Sequence, residues 1–390
     1  MALVYYPRTG LAIASAFLVC NTVYLILEYT IPKLRNIFTN QRFKNWITIA
    51  HYLIIPSFIV LLGAILIPFL FLGKQGHAEA CNRLTIDADI AGLGIRIAAW
   101  AQICILLLIA LLGTFYVDVK MAKEVGAGLA VTHLSLAIAL LIHIHQGGAK
   151  VSLADKILGS MILDAQNIAL SIPLVTKETL AARWQVVVTV VCQTFGLILL
   201  GIIVNDFGNG NINITDCPCL SAAWWGEVGA CRKSPASTLV RHEMKAFWIY
   251  YACRWLSLFQ SSFHSLMNME KFHTAEKDKS LHLKDLTFPR LYLESKSVQW
   301  RRLFRARSSV YDSYASTVSP AFLLYAMFAI VSMAAAENLL RDLGTLGGKE
   351  ISFGQAVAIV IAAATIVRGL WLSYKMLQDR GVVNPPLQVI

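Results

Sequence analysis

Ala154-Asp-Lys-Ile-Leu-Gly-Ser-Met-Ile-Leu-Asp-Ala-Gln-Asn-Ile-Ala-Leu-Ser-Ile-Pro-Leu-Val175 is the stretch that decides the class of this molecule. It is long and apolar enough to cross a bilayer as a helix, yet it carries a carboxylate, Asp164, near its middle. Its polar residues Ser160, Asp164, Asn167 and Ser171 follow steps of four, three and four, which places them on one helical face. An ionised group at the bilayer centre costs a few kcal/mol even on the mildest scales, so such residues face protein or a water-filled cavity. Two readings compete: a hydrogen-bonded seam between helices, or the polar wall of a site.

Composition extends this reading to the whole chain. Of 390 residues, 57% are hydrophobic and only 15% charged, where a soluble protein carries nearer a quarter charged. Nine apolar windows lie near 11–31, 47–73, 97–117, 125–146, 154–175, 184–204, 246–267, 319–339 and 353–373. The fold class expected is all-α, a polytopic transmembrane helix bundle of about nine spans. Eight spans with one window re-entrant is the competing count. The apolar run after Arg8 continues past Ala14–Ala16 and reads as a signal anchor. Residues 1–390 form a single polytopic domain, with a cysteine-bearing loop at 205–242 and a basic loop at 268–318.

The net charge of +11 is accounted for by loops, and no nucleic-acid-binding motif accompanies it. With an outside N-terminus and nine helices, the inside segments hold 20 Lys and Arg and the outside segments 10, as the positive-inside rule requires. Within the basic loop, Trp300, Leu303 and Phe304 face one way and Arg301, Arg302 and Arg305 another. That pattern suits either a helix on an anionic leaflet or a solvated charge run.

Cysteine usage favours the same orientation. Cys20, Cys104, Cys192 and Cys253 fall in spans, while Cys81, Cys217, Cys219 and Cys231 fall in loops assigned outside. Asn213-Ile-Thr215 in the same outer loop is a glycosylation sequon. An oxidising lumen or exterior and disulfides among those four cysteines follow, with three pairings open. The Cys-x-Cys-x11-Cys spacing is a weak zinc pattern, so no metal is expected. The N-terminus is expected to be lumenal and the C-terminus cytosolic.

Polar residues in and near the spans gather toward the outer half. Asp87 and Asp89 stand before the third span, with Arg96 one heptad after Asp89. Asp164 lies about 15 Å below the outer end of the fifth span. Tyr250, Arg254, Ser257, Ser261 and Ser265 form a second helical stripe, and Glu243 and Glu337 mark the outer rim. Glu28 and Arg368 lie in the inner half and can snorkel. His51, His133, His143 and His145 sit near span ends or faces, and a metal pair of His143 and His145 is disfavoured by their spacing of two. For any single charge pair, a helix fastener is the competing reading. Trp100, Phe247, Trp248, Tyr250, Tyr251 and Trp255 cluster at the same level, either as an interfacial belt or as a cavity lining. An aromatic-lined cavity with one protonated carboxylic acid suits carbocation chemistry, because aromatic faces stabilise positive charge and a dry carboxyl keeps its proton.

Missing motifs narrow the chemistry. There is no Asp-Asp-x-x-Asp or Asn-Asp-x-x-Asp magnesium–diphosphate motif, and Asp87-Ala-Asp-Ile90 lacks the final aspartate of soluble class II cyclases. No mid-span lysine, P-loop, His-x-x-x-His box, Gly-x-Ser-x-Gly elbow or haem-thiolate signature occurs. No internal repeat is visible, which counts against a transporter built from inverted halves.

Two segments, Asp87-Ala-Asp-Ile-Ala-Gly-Leu-Gly-Ile-Arg96 and Asp164-Ala-Gln-Asn-Ile-Ala-Leu-Ser171, resemble a broad fungal group of multispanning membrane proteins. In that group an Asp-Ile-x-Gly-x-Gly-x-Arg segment precedes a span. Some of its members are integral-membrane terpene cyclases of meroterpenoid biosynthesis, of the ascofuranone and macrophorin type. The resemblance implies protonation of a prenyl chain or its terminal epoxide followed by cyclisation, with no cofactor. The partners implied are a lipophilic prenylated small molecule and membrane lipid, and no nucleic acid. On this reading Asp164 is the proton donor, with Asp89 or Glu337 as alternatives. Arg96 or Arg254 orients polar substrate groups, and Asn167, Trp100, Tyr250 and Trp255 line the substrate site. A receptor or transporter for a small lipophilic ligand, or a scaffold with polar seams only, also places Asp and Arg inside the membrane.

Overall fold

The structure, a computed structural model, describes chiefly residues 87–115, 122–145, 153–175, 183–208, 220–221, 227–228, 247–263, 265–266, 321–342 and 353–382, with a few helical positions between 15 and 23. Cys81, Cys217, Cys219, Cys231, Asn213, Glu243, Glu28, His51 and the basic loop at 268–318 lie outside the described residues.

The described part is helical apart from one short ladder. In chain order it runs α1 (Ala88–Ala91), α2 (Leu93–Phe115), α3 (Ala122–His145), α4 (Leu153–Ala169), α5 (Ser171–Val175) and α6 (Arg183–Gly208). Strands β1 (Leu220–Ser221) and β2 (Glu227–Val228) follow, paired antiparallel with Leu220 opposite Val228. Next come α7, helical over residues 247–263 and at 265–266, then α8 (Ala321–Asp342) and α9 (Phe353–Val382). Five helices among the described residues are long and apolar enough to cross a membrane: those containing Asp89–Ile109, Gly126–His145, Asp155–Val175, Trp184–Asp206 and Gly354–Trp371.

The bundle is arranged around α4, which packs against α3, α6 and α8. All of its span is buried. Its neighbours approach closely because Gly159 has no side chain: a Cβ there would stand 2.5 Å from Ile90 Cγ2 and 2.7 Å from Leu140 Cδ2. α4 ends at Ala169, four residues before Pro173. The proline supplies no N–H to that carbonyl and its ring crowds it, so the chain breaks at Leu170 and resumes as α5. On the flank, α9 lies along α2 through small residues, Ala98 against Ala358 and Ala362, the usual means by which membrane helices bring their backbones together.

Contacts between helix ends fix how the chain alternates. Asp87 caps α1, its Oδ1 accepting from Asp89 N at 2.8 Å. Asp155 at the start of α4 accepts from Asp87 N at 2.8 Å, and His143 at the end of α3 lies 3.3 Å from Asp87 Oδ2. Arg96 near the start of α2 is paired with Glu337 near the end of α8. Gly94 N donates to Gln355 Oε1 of α9 at 3.1 Å. One face of the bundle therefore collects the beginnings of α2, α4 and α9 and the ends of α3 and α8.

Candidate functional site

α4, α6, α7 and α8 bring a polar cluster together at the centre of the bundle. Arg254 of α7 donates from Nε to Asp164 Oδ1 at 2.7 Å and from Nη2 to Asn167 Oδ1 at 2.9 Å. Tyr250, one turn earlier on α7, donates its hydroxyl proton to Asp164 Oδ2. Ser332 of α8 lies 3.4 Å from the same oxygen. Both carboxylate oxygens are thus engaged, and the Arg254 and Asp164 side chains are 1% and 0% exposed. Helical spacing accounts for the local arrangement: Asp164 and Asn167 are three apart on α4, Tyr250 and Arg254 four apart on α7, so each pair shares a face.

The cluster extends into α6. Asn167 Nδ2 donates to Gln193 O, and Gln193 Nε2 donates to Asn167 O and to Ser171 Oγ, all at 2.8 Å. His133 of α3 donates from Nε2 to Cys192 O at 3.2 Å. Gly196 makes this convergence feasible. A Cβ at that position would stand 2.5 Å from His133 Nε2 and 2.7 Å from Asn167 Nδ2.

Aromatic rings flank the cluster on one side. Tyr250 meets the edge of Phe328 with centroids 5.6 Å apart, and Phe247 lies 6.3 Å from Tyr250. Phe247, Tyr250 and Phe328 are buried. Trp248 and Trp255, by contrast, stand on the outward side of α7 and are exposed, where an interfacial or lipid-facing role suits them. Trp100 is half-buried against the main core.

Of the residues singled out from sequence, Asp164, Asn167, Tyr250 and Arg254 come together. Arg96 and Glu337 form a separate pair nearer the rim, with side chains 11% and 30% exposed. Asp89 is exposed at that rim beside Gly354. Of the Ser160–Ser171 stripe, Ser160 turns its hydroxyl back to Ile157 O at 2.7 Å, and Ser171 joins the Gln193 link. The Asp-Ile-x-Gly-x-Gly-x-Arg segment works as a joint: Gly94 admits Gln355 of α9, and Arg96 reaches α8. Sequence reasoning passed over Gln193 and Ser332. A lone amide within the apolar run of α6 was the available signal for the first. A single serine in an apolar helix gives almost none for the second.

No group of three or more His, Cys, Asp and Glu side chains is placed to hold a metal ion among the described residues. The cluster combines one carboxylate, a fixed guanidinium, a phenol and an aromatic wall, all inside an apolar bundle. Chemically it can offer a carboxylate whose negative charge Arg254 balances, or fasten four helices. No protein-family model, curated protein or solved structure matches this chain.

Proposed function

We propose that this protein is an integral-membrane terpene cyclase, an isomerase acting by protonation-initiated cyclisation of a prenyl chain or terminal epoxide on a meroterpenoid precursor. The observation that carries the reading is the buried Tyr250–Asp164–Arg254 cluster beside Phe247 and Phe328. It is supported by the resemblance of Asp87–Arg96 and Asp164–Ser171 to a broad group of multispanning membrane proteins, some of which are terpene cyclases. A farnesylated aromatic partitions into lipid, so a site within the bundle is reached without passage through water.

In this mechanism Asp164 carries the proton on Oδ2, the Tyr250 hydroxyl having turned from donating to that oxygen, and delivers it to the epoxide oxygen or the terminal alkene carbon. Arg254 stabilises the carboxylate that remains. Epoxide C–O cleavage or alkene protonation produces a carbocation, the neighbouring double bond supplies the electron pair for the new C–C bond, and aromatic faces shield the charge. Loss of a proton from carbon ends the sequence, so substrate and product are isomers. Asp89 and Glu337 are the alternative acids, and Arg96 orients polar substrate groups near the rim.

The test uses microsomes containing the protein and a prenylated aromatic or its terminal epoxide, without added nucleotide. Conversion is expected, and chelating magnesium leaves the rate unchanged. Asp164→Asn keeps size and the acceptor for Arg254, with the Tyr250 hydroxyl turning to accept from the new amide, but removes the transferable proton, so turnover falls by roughly 10²–10⁴-fold while the variant still accumulates. Normal turnover by that variant moves the acid to Asp89 or Glu337. No conversion by the unaltered protein ends the cyclase reading.

A second reading is favoured by one specific observation: both Asp164 oxygens are already bonded within the protein. A receptor, transporter or scaffold fastened by this cluster then predicts that Asp164→Asn alters stability and nothing else. We place the protein in the endoplasmic reticulum membrane with a lumenal N-terminus and a cytosolic C-terminus. Glycosidase should shift its mobility through Asn213, and Asn213→Gln should abolish that shift.

A further inference from the structure

The serine stripe of α7 is not used by the chemistry above, and its burial is complete. Tyr250, Arg254, Ser257, Ser261 and Ser265 are each 1% exposed or less. Helical rise puts Ser265 about 16 Å from Arg254 along the axis. α7 runs antiparallel to α8, since Tyr250 meets Ser332 while Gln260 meets Tyr325. Ser265 therefore points to the end of the bundle opposite the Asp87–Asp155 face.

Two hydroxyls of the stripe spend their hydrogens on α7 itself: Ser257 on Cys253 O at 2.8 Å and Ser261 on Leu258 O at 3.1 Å. Their oxygens can still accept. Across the seam, Tyr325 of α8 donates to Gln260 Oε1 at 2.9 Å and lies 3.4 Å from Ser257 O. Gln260 Nε2 and Ser265 Oγ have no hydrogen-bond partner among the described residues, although these residues are 1% and 0% exposed. Buried donors without partners carry a desolvation cost, and ordered water with two to four polar neighbours is the common way to remove it. At the other end of the stripe stands Asp164, itself shut off from bulk solvent.

We propose that the seam between α7 and α8, from Ser265 to Arg254, holds a file of water molecules that exchanges protons between the bundle end and the Asp164–Tyr250 pair. The proton-carrying role rests on the cyclase reading, because an acid enclosed in the bundle must be reloaded from water. The hydration of the seam does not rest on it.

Cysteines placed singly in the full-length chain at Ser261, Ser265 and, as a dry control, Leu258 report hydration through modification by a small charged methanethiosulfonate. Peptide mass mapping separates the new sites from Cys253. Thiols react with such reagents as thiolates, which need water. Ser265→Cys should be modified fastest, Ser261→Cys more slowly and Leu258→Cys not at all. Protection of both serine positions, or equal labelling of all three, overturns the hydrated seam. For the proton route, the double variant Ser261→Val/Ser265→Val should lose roughly 10-fold in kcat, with KM unchanged and a larger solvent deuterium isotope effect. Unchanged turnover overturns that role. If the unaltered protein converts no prenylated substrate, the cyclase reading falls while the labelling pattern still decides whether the seam is wet.

Discussion

α4 with its continuation α5, and α9, are both apolar and long enough to cross a bilayer, and they occupy opposite positions in the bundle. α4 contains Asp155, Asp164, Gln166 and Asn167, and 100% of its span is buried, against 28% for α9. α9 turns Val360, Val367, Leu370, Trp371 and Tyr374 outward. In water the more polar helix would lie at the surface. In a bilayer the solvent is hydrocarbon, apolar side chains gain nothing by leaving it, and polar groups must find partners inside. The difference teaches that centrality here follows polarity: the helix with the most hydrogen-bonding groups is the one enclosed by protein.

The comparison can be broken most directly at Arg254. Arg254→Met leaves the Asp164 carboxylate buried without its partner, and removal of one member of a buried pair costs roughly 3–5 kcal/mol. A large fall in the thermal midpoint of detergent-purified protein is expected, with substantial recovery in Asp164→Leu/Arg254→Met. A midpoint unchanged by Arg254→Met would mean that the polar centre does not hold α4 in place.

A smaller effect is expected from Gly159→Ala, which sets a methyl group against Ile90 and Leu140, both fully buried. Overpacking of this kind costs about 1–3 kcal/mol, read as a lower midpoint with the Asp164 cluster retained. Ser332→Ala removes only two long contacts of 3.4 Å, to Asp164 Oδ2 and Tyr250 Oη; a hydrogen bond of ordinary length is worth about 1 kcal/mol, so the midpoint should fall by less than with Gly159→Ala. At the other pole, Val367→Ala on α9 trims a side chain that is 68% exposed. Its effect should stay within about 0.5 kcal/mol, and a loss as large as that from Gly159→Ala would show that α9 is covered in the working protein.

Much of the central cluster was legible before any coordinates. The spacing of Asp164, Asn167 and Ser171 and the stripe from Tyr250 to Ser265 are properties of helical periodicity, and both faces are buried as that periodicity requires. Their partners were not legible. Arg254 stands 90 positions from Asp164, and nothing local distinguishes it from Arg96, which pairs with Glu337 instead. Asp89, seven positions before Arg96, sits exposed at the rim on the far side of the break at Gly92 between α1 and α2. The aromatic group at residues 247–255 divides by helical face: Phe247 and Tyr250 turn toward the core, Trp248 and Trp255 outward.

Sequence alone determined that this is an apolar helical chain with polar faces inside membrane-length segments, because length, hydropathy and the 3.6-residue period act within each helix. Tertiary structure decided which of those faces meet. It set α4 at the centre, assigned Arg254 to Asp164 and Glu337 to Arg96, and recruited Gln193 and Ser332. Those outcomes depend on close approach at Gly159 and Gly196 and on the break before Pro173. They are packing events between distant segments, where the geometry of two backbones fixes which buried polar groups can satisfy one another.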